Sequence, residues 1–155
     1  MRLTRAGEYA VRCVLYLSRK GEGALVSRQE VAARADIPPD FLAKIVQQLA
    51  RAGIIEIVQG SRGGYRLLQP PAAVTMLQVI EAIIGEIYLN DCVARPASCA
   101  NNPTCVVHRV WLKARDQLRE TLGAVSFADL LREECCSPCT TPAPEEAAGN
   151  RPAPD

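Results

Sequence analysis

A mainly α-helical chain with one small β-hairpin is what these 155 residues predict, and three observations carry that expectation. Apolar residues recur at helical spacing through most of the sequence. One β-branched run at 54–58 is joined through a glycine-rich turn to a second short extended run at 65–68. Hydrophobic residues make up 48% of the chain but aromatic ones only 5%, with Leu, Ala, Arg and Glu abundant, a composition biased towards helices. The length suits one domain, or a small domain with an oligomerisation element, and leaves little room for two independent cores.

The first helix is expected from Leu3, Ala6, Ala10, Cys13, Val14 and Leu17, behind a Thr4 cap and ending near Gly21. Cys13 falls on its apolar face, where a small buried thiol is the ordinary reading. A second helix opens at Ser27, which with Glu30 makes a capping box, while Val26 can staple against Val31. It stops before Pro38, after a turn built on Asp36 and Ile37. Pro39 then suits the first position of a third helix, whose stripe of Leu42, Ile45, Val46 and Leu49 runs to Gly53.

On the far side of that third helix lie Asp40, Lys44, Gln47 and Arg51, flanked by Gln48 and Ala43. These side chains can reach base edges or phosphates, so residues 27–52 read as a helix-turn-helix, a solvated charged face being the plain alternative. The hairpin that follows, 54–68, reads as a wing: Ser61, Arg62 and Gly63 form its tip, glycine allows close approach to a sugar-phosphate backbone, and Arg62 offers a guanidinium to a minor groove. Together they predict a winged helix-turn-helix DNA-binding domain over 1–70. Charge agrees with this placement. Residues 1–75 carry 11 Lys and Arg against 6 Asp and Glu, whereas 76–155 carry 7 against 11, although the whole chain is only +1.

Residues 71–134 are expected to hold a second module. After Pro70 and Pro71, Thr75 and Gln78 cap a helix bearing Met76, Leu77, Val79, Ile80, Ile83 and Ile84, closed by Gly85. Farther on, Val107, Val110, Trp111, Ala114, Leu118 and Leu122 make the apolar stripe of a long C-terminal helix, with Lys113, Arg115, Asp116, Arg119 and Glu120 off it. A winged helix has little room to bury that stripe, so it predicts a dimerisation helix and two reading heads for a pseudo-palindromic site on double-stranded DNA. Ser126 is expected to cap a last helix through Leu131. Residues 135–155 form a cysteine-containing tail, expected to be disordered from Pro142.

Between the two helices of this module, the stretch 92–108 gathers Cys92, Cys99, Cys105 and the only histidine, His108, with gaps of six, five and two residues filled by Pro, Ser and Asn. That is loop chemistry, and three thiolates with one imidazole can fix such a loop on a metal centre. Zinc is the alternative to an iron–sulfur cluster. Structural zinc sites pair cysteines two to four residues apart, so the longer gaps favour a polynuclear centre, while a loop of free thiols is the plain reading. No signal peptide or membrane span is apparent, which predicts a cytoplasmic protein whose thiols stay reduced.

In this order, Met1-Arg2-Leu3-Thr4, Tyr9-Ala10-Val11, Gly53, Arg62-Gly63-Gly64-Tyr65, the set Cys92, Cys99, Cys105 and His108, and Trp111 resemble the Rrf family of bacterial transcription regulators, up to about Leu131. Its iron–sulfur regulators are the nearest likeness. The resemblance implies a homodimer that binds operator DNA as repressor or activator and carries a [2Fe-2S] cluster on three Cys and one His, sensing cluster supply, redox state or nitric oxide. A [4Fe-4S] cluster or zinc remains the alternative occupant.

The chain also departs from that pattern. Its first cysteine gap is six residues where five is expected, and Ala43 replaces an acidic residue on the recognition helix, so operator preference is not carried over. Some relatives use a carboxylate of the first helix as a ligand, which makes Glu8 an alternative. Arg5 and Arg12 flank Glu8 on one helix face, and an ion pair there would explain it without a metal.

Two other functions compete with cluster sensing: a zinc-stapled DNA-binding protein, and a thiol redox protein using Cys135, Cys136 and Cys139. The latter trio follows a helix instead of opening one, against a redox motif. No hydrolase triad or phosphate-binding loop is present, so no enzyme is expected.

Overall fold

The computed structural model describes residues 4–99 and 104–136. Leu3, part of the cysteine stretch (100–103), Cys139 and the tail expected to be disordered lie outside the described residues.

Helix α1 (Arg5–Lys20) starts where expected: the Thr4 hydroxyl accepts the Gly7 N–H at 3.2 Å, and Gly21 ends the helix at a φ of 93°. Ala10, Cys13, Val14 and Leu17 point into the core. Helix α2 (Arg28–Arg34) is capped by Ser27, whose hydroxyl accepts the Glu30 N–H at 3.2 Å. The other half of the expected capping box does not form. Instead the Glu30 carboxylate accepts the Tyr16 hydroxyl at 2.8 Å and pairs with Lys20 Nζ at 2.7 Å, because α1 brings it a cation and a phenol, stronger partners than one backbone N–H.

The turn into helix α3 (Pro39–Arg51) passes through Asp36 at a φ of 52°, a left-handed conformation that Asp tolerates better than most residues. Pro39 opens α3, Leu42, Ile45, Val46 and Leu49 are buried, and Gly53, at a φ of 69°, turns the chain out.

Strands β1 (Ile55–Val58) and β2 (Gly64–Leu67) pair antiparallel, with Ile55 opposite Leu67 and Val58 opposite Gly64. Val26 adds a further rung: its backbone exchanges hydrogen bonds of 2.9 and 2.8 Å with Tyr65. The wing is thereby fastened to the segment entering α2. That approach demands glycine at 64, where a Cβ would stand 2.2 Å from the Val26 carbonyl oxygen.

Past the 3₁₀ turn at Pro71–Ala73, Thr75 and Gln78 form the expected reciprocal capping box of helix α4 (Met76–Ile84). α4 packs on α1 and α3. Val74, just ahead of its cap, Val79 of α4 itself and Phe127 of the last helix join the core built by α1, α2, α3 and the hairpin.

The described part of the cysteine stretch is less irregular than expected. Cys92 sits in a one-turn helix, α5 (Asp91–Ala94), and a 3₁₀ turn follows at Pro96–Ser98. A proline at the first position of that turn costs no hydrogen bond, so the loop-forming residue can also start a helical turn.

Helix α6 (Val106–Ala124) has no buried residue and packs on α4 and α5. Arg119, expected off its apolar stripe, pairs with Glu81 of α4 and approaches Glu86 at 3.6 Å. Helix α7 (Phe127–Cys136) opens with a reciprocal Ser126–Asp129 box, and runs five residues beyond Leu131. Cys135 and Cys136 therefore belong to a helix and not to the tail. The bond from Arg19 Nε to Glu134 at 3.0 Å holds this extension on α1.

Candidate DNA-reading face and metal centre

Burying Leu42, Ile45, Val46 and Leu49 forces the opposite face of α3 outward, and Asp40, Lys44, Gln47, Gln48 and Arg51 are all exposed there. Beside them projects the wing. The Gly63 N–H donates to the Gly60 carbonyl at 3.0 Å, closing a turn that leaves Ser61 and Arg62 exposed at the tip. Gly63 itself is half-buried, and a Cβ there would meet the Val58 carbonyl oxygen at 2.3 Å, so glycine is required for the turn to fold back.

Two residues that the sequence reading passed over support this face. Arg28, exposed in the first turn of α2, donates its Nε–H to the Tyr65 hydroxyl at 3.1 Å. Phe41, in the first turn of α3, is 45% exposed, and its ring stands edge-on to Tyr9 with centroids 5.7 Å apart. An aromatic residue at an outward helical position is a signal available from the sequence alone.

The expected ion pair of Glu8 does not form. Arg12 lies 5.8 Å from the centroid of the Tyr9 ring, and its Nη1 reaches the Asp36 carboxylate at 3.5 Å across the helix interface, leaving Glu8 exposed. Asp36 competes successfully because its left-handed turn carries the carboxylate towards α1.

Cys92, Cys99 and Cys105 are free thiols, each half-buried, and the Cys92 Sγ lies 3.5 Å from Asn90 Oδ1. His108 occupies the first turn of α6, which packs on the α5 turn carrying Cys92. Its Nδ1 is buried with no hydrogen-bond partner. Buried ring nitrogens are ordinarily paired, and leaving one alone costs roughly 1–3 kcal/mol. A metal would take that lone pair, and three thiols with one imidazole are the soft and borderline donors that iron or zinc accepts, so the residues fit such a centre. Among the described residues no three His, Cys, Asp or Glu side chains already stand together as a cage. Cys13 is excluded from any such centre by place: it is fully buried, and burial pushes its thiol up to about 12.

Along α6 the stripe divides. Val107, Val110 and Trp111 are exposed, as is Val106, whereas Ala114, Leu118 and Leu122 are half-buried. No helix among the described residues is long and apolar enough to cross a membrane.

A family model described as Rrf2, iron-dependent transcriptional regulator, matches residues 3–133. The chain belongs to the Rrf2 family. Among its relatives, the HTH-type transcriptional regulator NsrR of Geobacillus kaustophilus is 31% identical over 134 residues, covering 86% of this chain and 91% of that one. Solved structures agree in fold. IscR of T. potens superposes with a TM-score of 0.69 at 22% identity, over 86% of this chain and 88% of its own. CymR, the global cysteine regulator of B. subtilis, gives 0.69 at 23%, over 86% and 98%. Membership of Rrf2 makes this chain a DNA-binding transcriptional regulator of winged-helix architecture.

Proposed function

We propose that this Rrf2 protein is a homodimeric regulator whose operator binding is controlled by an iron–sulfur cluster held on Cys92, Cys99, Cys105 and His108, with [2Fe-2S] the nuclearity that its likeness to the iron–sulfur regulators of the family favours. The observation that carries this reading is the buried, unpartnered Nδ1 of His108 beside a stretch with three free, half-buried thiols. When bound, the cluster supplies a soft-ligand, redox-sensitive crosslink between α5 and α6. The protein's own residues do the rest. Arg119 on α6 pairs with Glu81 of α4, and Glu81 Oε1 also accepts the Ile87 N–H at 3.0 Å, so the segment leading into α5 is tied to a helix that packs on α3.

Val106, Val107, Val110 and Trp111 give α6 an apolar face that a second copy covers, with Ala114, Leu118 and Leu122 continuing it. The dimer then offers two α3 helices to a pseudo-palindromic duplex, Lys44, Gln47, Gln48 and Arg51 at base edges and phosphates, and Ser61, Arg62 and Gly63 at the flanking backbone. The activity is recognition, with no catalysis.

Anaerobic purification followed by an absorption spectrum and iron, sulfide and zinc quantification tests the centre. Iron and sulfide in equal amounts, with visible charge-transfer bands lost in Cys105→Ser and weakened in His108→Ala, are the expected results. Stoichiometric zinc without sulfide identifies a zinc-stapled regulator instead. An unchanged centre in His108→Ala removes the histidine and makes Glu8 the residue to test.

A further inference from the structure

We infer that Phe41 is a specificity-determining residue of this regulator, reading the C5-methyl group of a thymine in the major groove; the inference rests on α3 being the helix that enters that groove. Phe41 is the third residue of α3, and the N-terminal residues of a recognition helix are those that meet base edges. It lies seven residues before Gln48 and three before Lys44, which places all three along one edge of the exposed face. Around it the outward positions are polar or small: Asp40, Ala43, Lys44, Gln47, Gln48 and Arg51.

A phenyl ring left 45% exposed on such a face has no hydrogen-bonding group with which to address a phosphate or a base edge. The apolar feature that a major groove offers is the thymine methyl. The ring is also held for this use. Tyr9 of α1 packs edge-on against it at 5.7 Å and an interplanar angle of 69°, so its orientation is fixed before DNA arrives. The space beneath α3 is filled by the buried Leu42 and Ile45, so most of the Phe41 ring lies outside the core.

The test uses the full-length protein and a duplex that it selects from a random-sequence pool, rebuilt with deoxyuridine for thymidine one position at a time, which removes a single methyl. For the wild type, one thymine, or one symmetric pair, should be sensitive: losing the methyl weakens binding about fourfold, the factor expected for one buried methyl-sized group. In Phe41→Ala that position becomes silent while every other position keeps its response. Phe41→Leu, which keeps an apolar body and protects against a folding failure of the Ala variant, retains part of the penalty at the same position.

If the methyl penalties in Phe41→Ala match those of the wild type at every position, or if binding to selected and unrelated duplexes falls by one common factor, the inference is overturned. Gln47→Ala separates the two levels. Selectivity lost in Gln47→Ala but intact in Phe41→Ala refutes Phe41 alone, whereas selectivity intact in both removes α3 from the groove.

Discussion

Arg28 of α2 donates its Nε–H to the hydroxyl of Tyr65 on β2 at 3.1 Å, so the first helix of the helix-turn-helix directly holds the wing. Tyr65 is 2% exposed, and its backbone is hydrogen-bonded to Val26 on both sides. The wing is thus placed by one side-chain bond and one backbone rung. Tyr65→Phe keeps the ring and removes the bond, which should cost about 1 kcal/mol in urea unfolding. Gly64→Ala should cost more, roughly 1–3 kcal/mol, since its Cβ meets the Val26 carbonyl within 2.2 Å and the backbone must move. A Gly64→Ala protein of wild-type stability would show that the rung opens at little cost.

The proposed reading face should divide into positioning and selectivity. Arg62, at the wing tip, should act through phosphate or groove electrostatics: Arg62→Ala weakens binding to all sequences and lowers the salt slope by about one. Gln47→Ala should instead cost roughly 1–3 kcal/mol on the selected duplex and little on random DNA. Titrations of both duplexes at several salt concentrations read both effects, and equal losses for the two variants on the two duplexes would contradict the division.

Acid should loosen the contacts that bind other helices to α1. Hydrogen bonds from Lys20, and next from Tyr16, hold the Glu30 carboxyl below its ordinary value of 4.5, and Arg19 does the same for Glu134 of α7. A carboxyl lowered in the folded state contributes stability that is complete above 4.5 and is lost as pH falls through the folded value. The urea midpoint should therefore fall as pH drops below the usual carboxylate range. Glu30→Gln should be less stable at neutral pH and show a shallower acid slope; an unaltered slope would mean that Glu30 pairs as well in the unfolded chain.

Local chemistry explains which parts of the fold could be read in advance. Thr4, Ser27, Thr75 and Ser126 each announce a helix start because a cap needs only residues within one turn. What escaped depends on residues far apart in sequence. Glu30 abandons its capping box for Tyr16 and Lys20, Arg12 leaves Glu8 for Asp36, and a single rung between Val26 and Tyr65 has no periodicity to announce it. In the candidate centre, the donors were plain from composition, but the helical turn at Cys92 and the orphaned Nδ1 of His108 arise from packing of α5 on α6. Cys135 and Cys136 join α7 because Glu134 finds Arg19, a partner 115 residues away.

The stripe on α6 gives the last test. Val106 and Val110 are each 64% exposed and Trp111 is 40% exposed, a patch too apolar to be left to water on a helix with no buried residue. If the proposed dimer forms through this stripe, Trp111 is covered by the second copy, and an Asp in its place would bury an unpaired charge twice over, once from each chain. Trp111→Asp should therefore be monomeric by light scattering. Its fold should persist, because the core of α1, α2, α3, the hairpin and Phe127 does not include Trp111. Binding to a palindromic duplex should drop towards that of a single half-site, since each reading head then docks without the local concentration its tether provided. Lys113→Asp, at an exposed position off the stripe, controls for charge alone and should stay dimeric. A dimeric Trp111→Asp, or a Lys113→Asp that also dissociates, would move the interface away from this stripe.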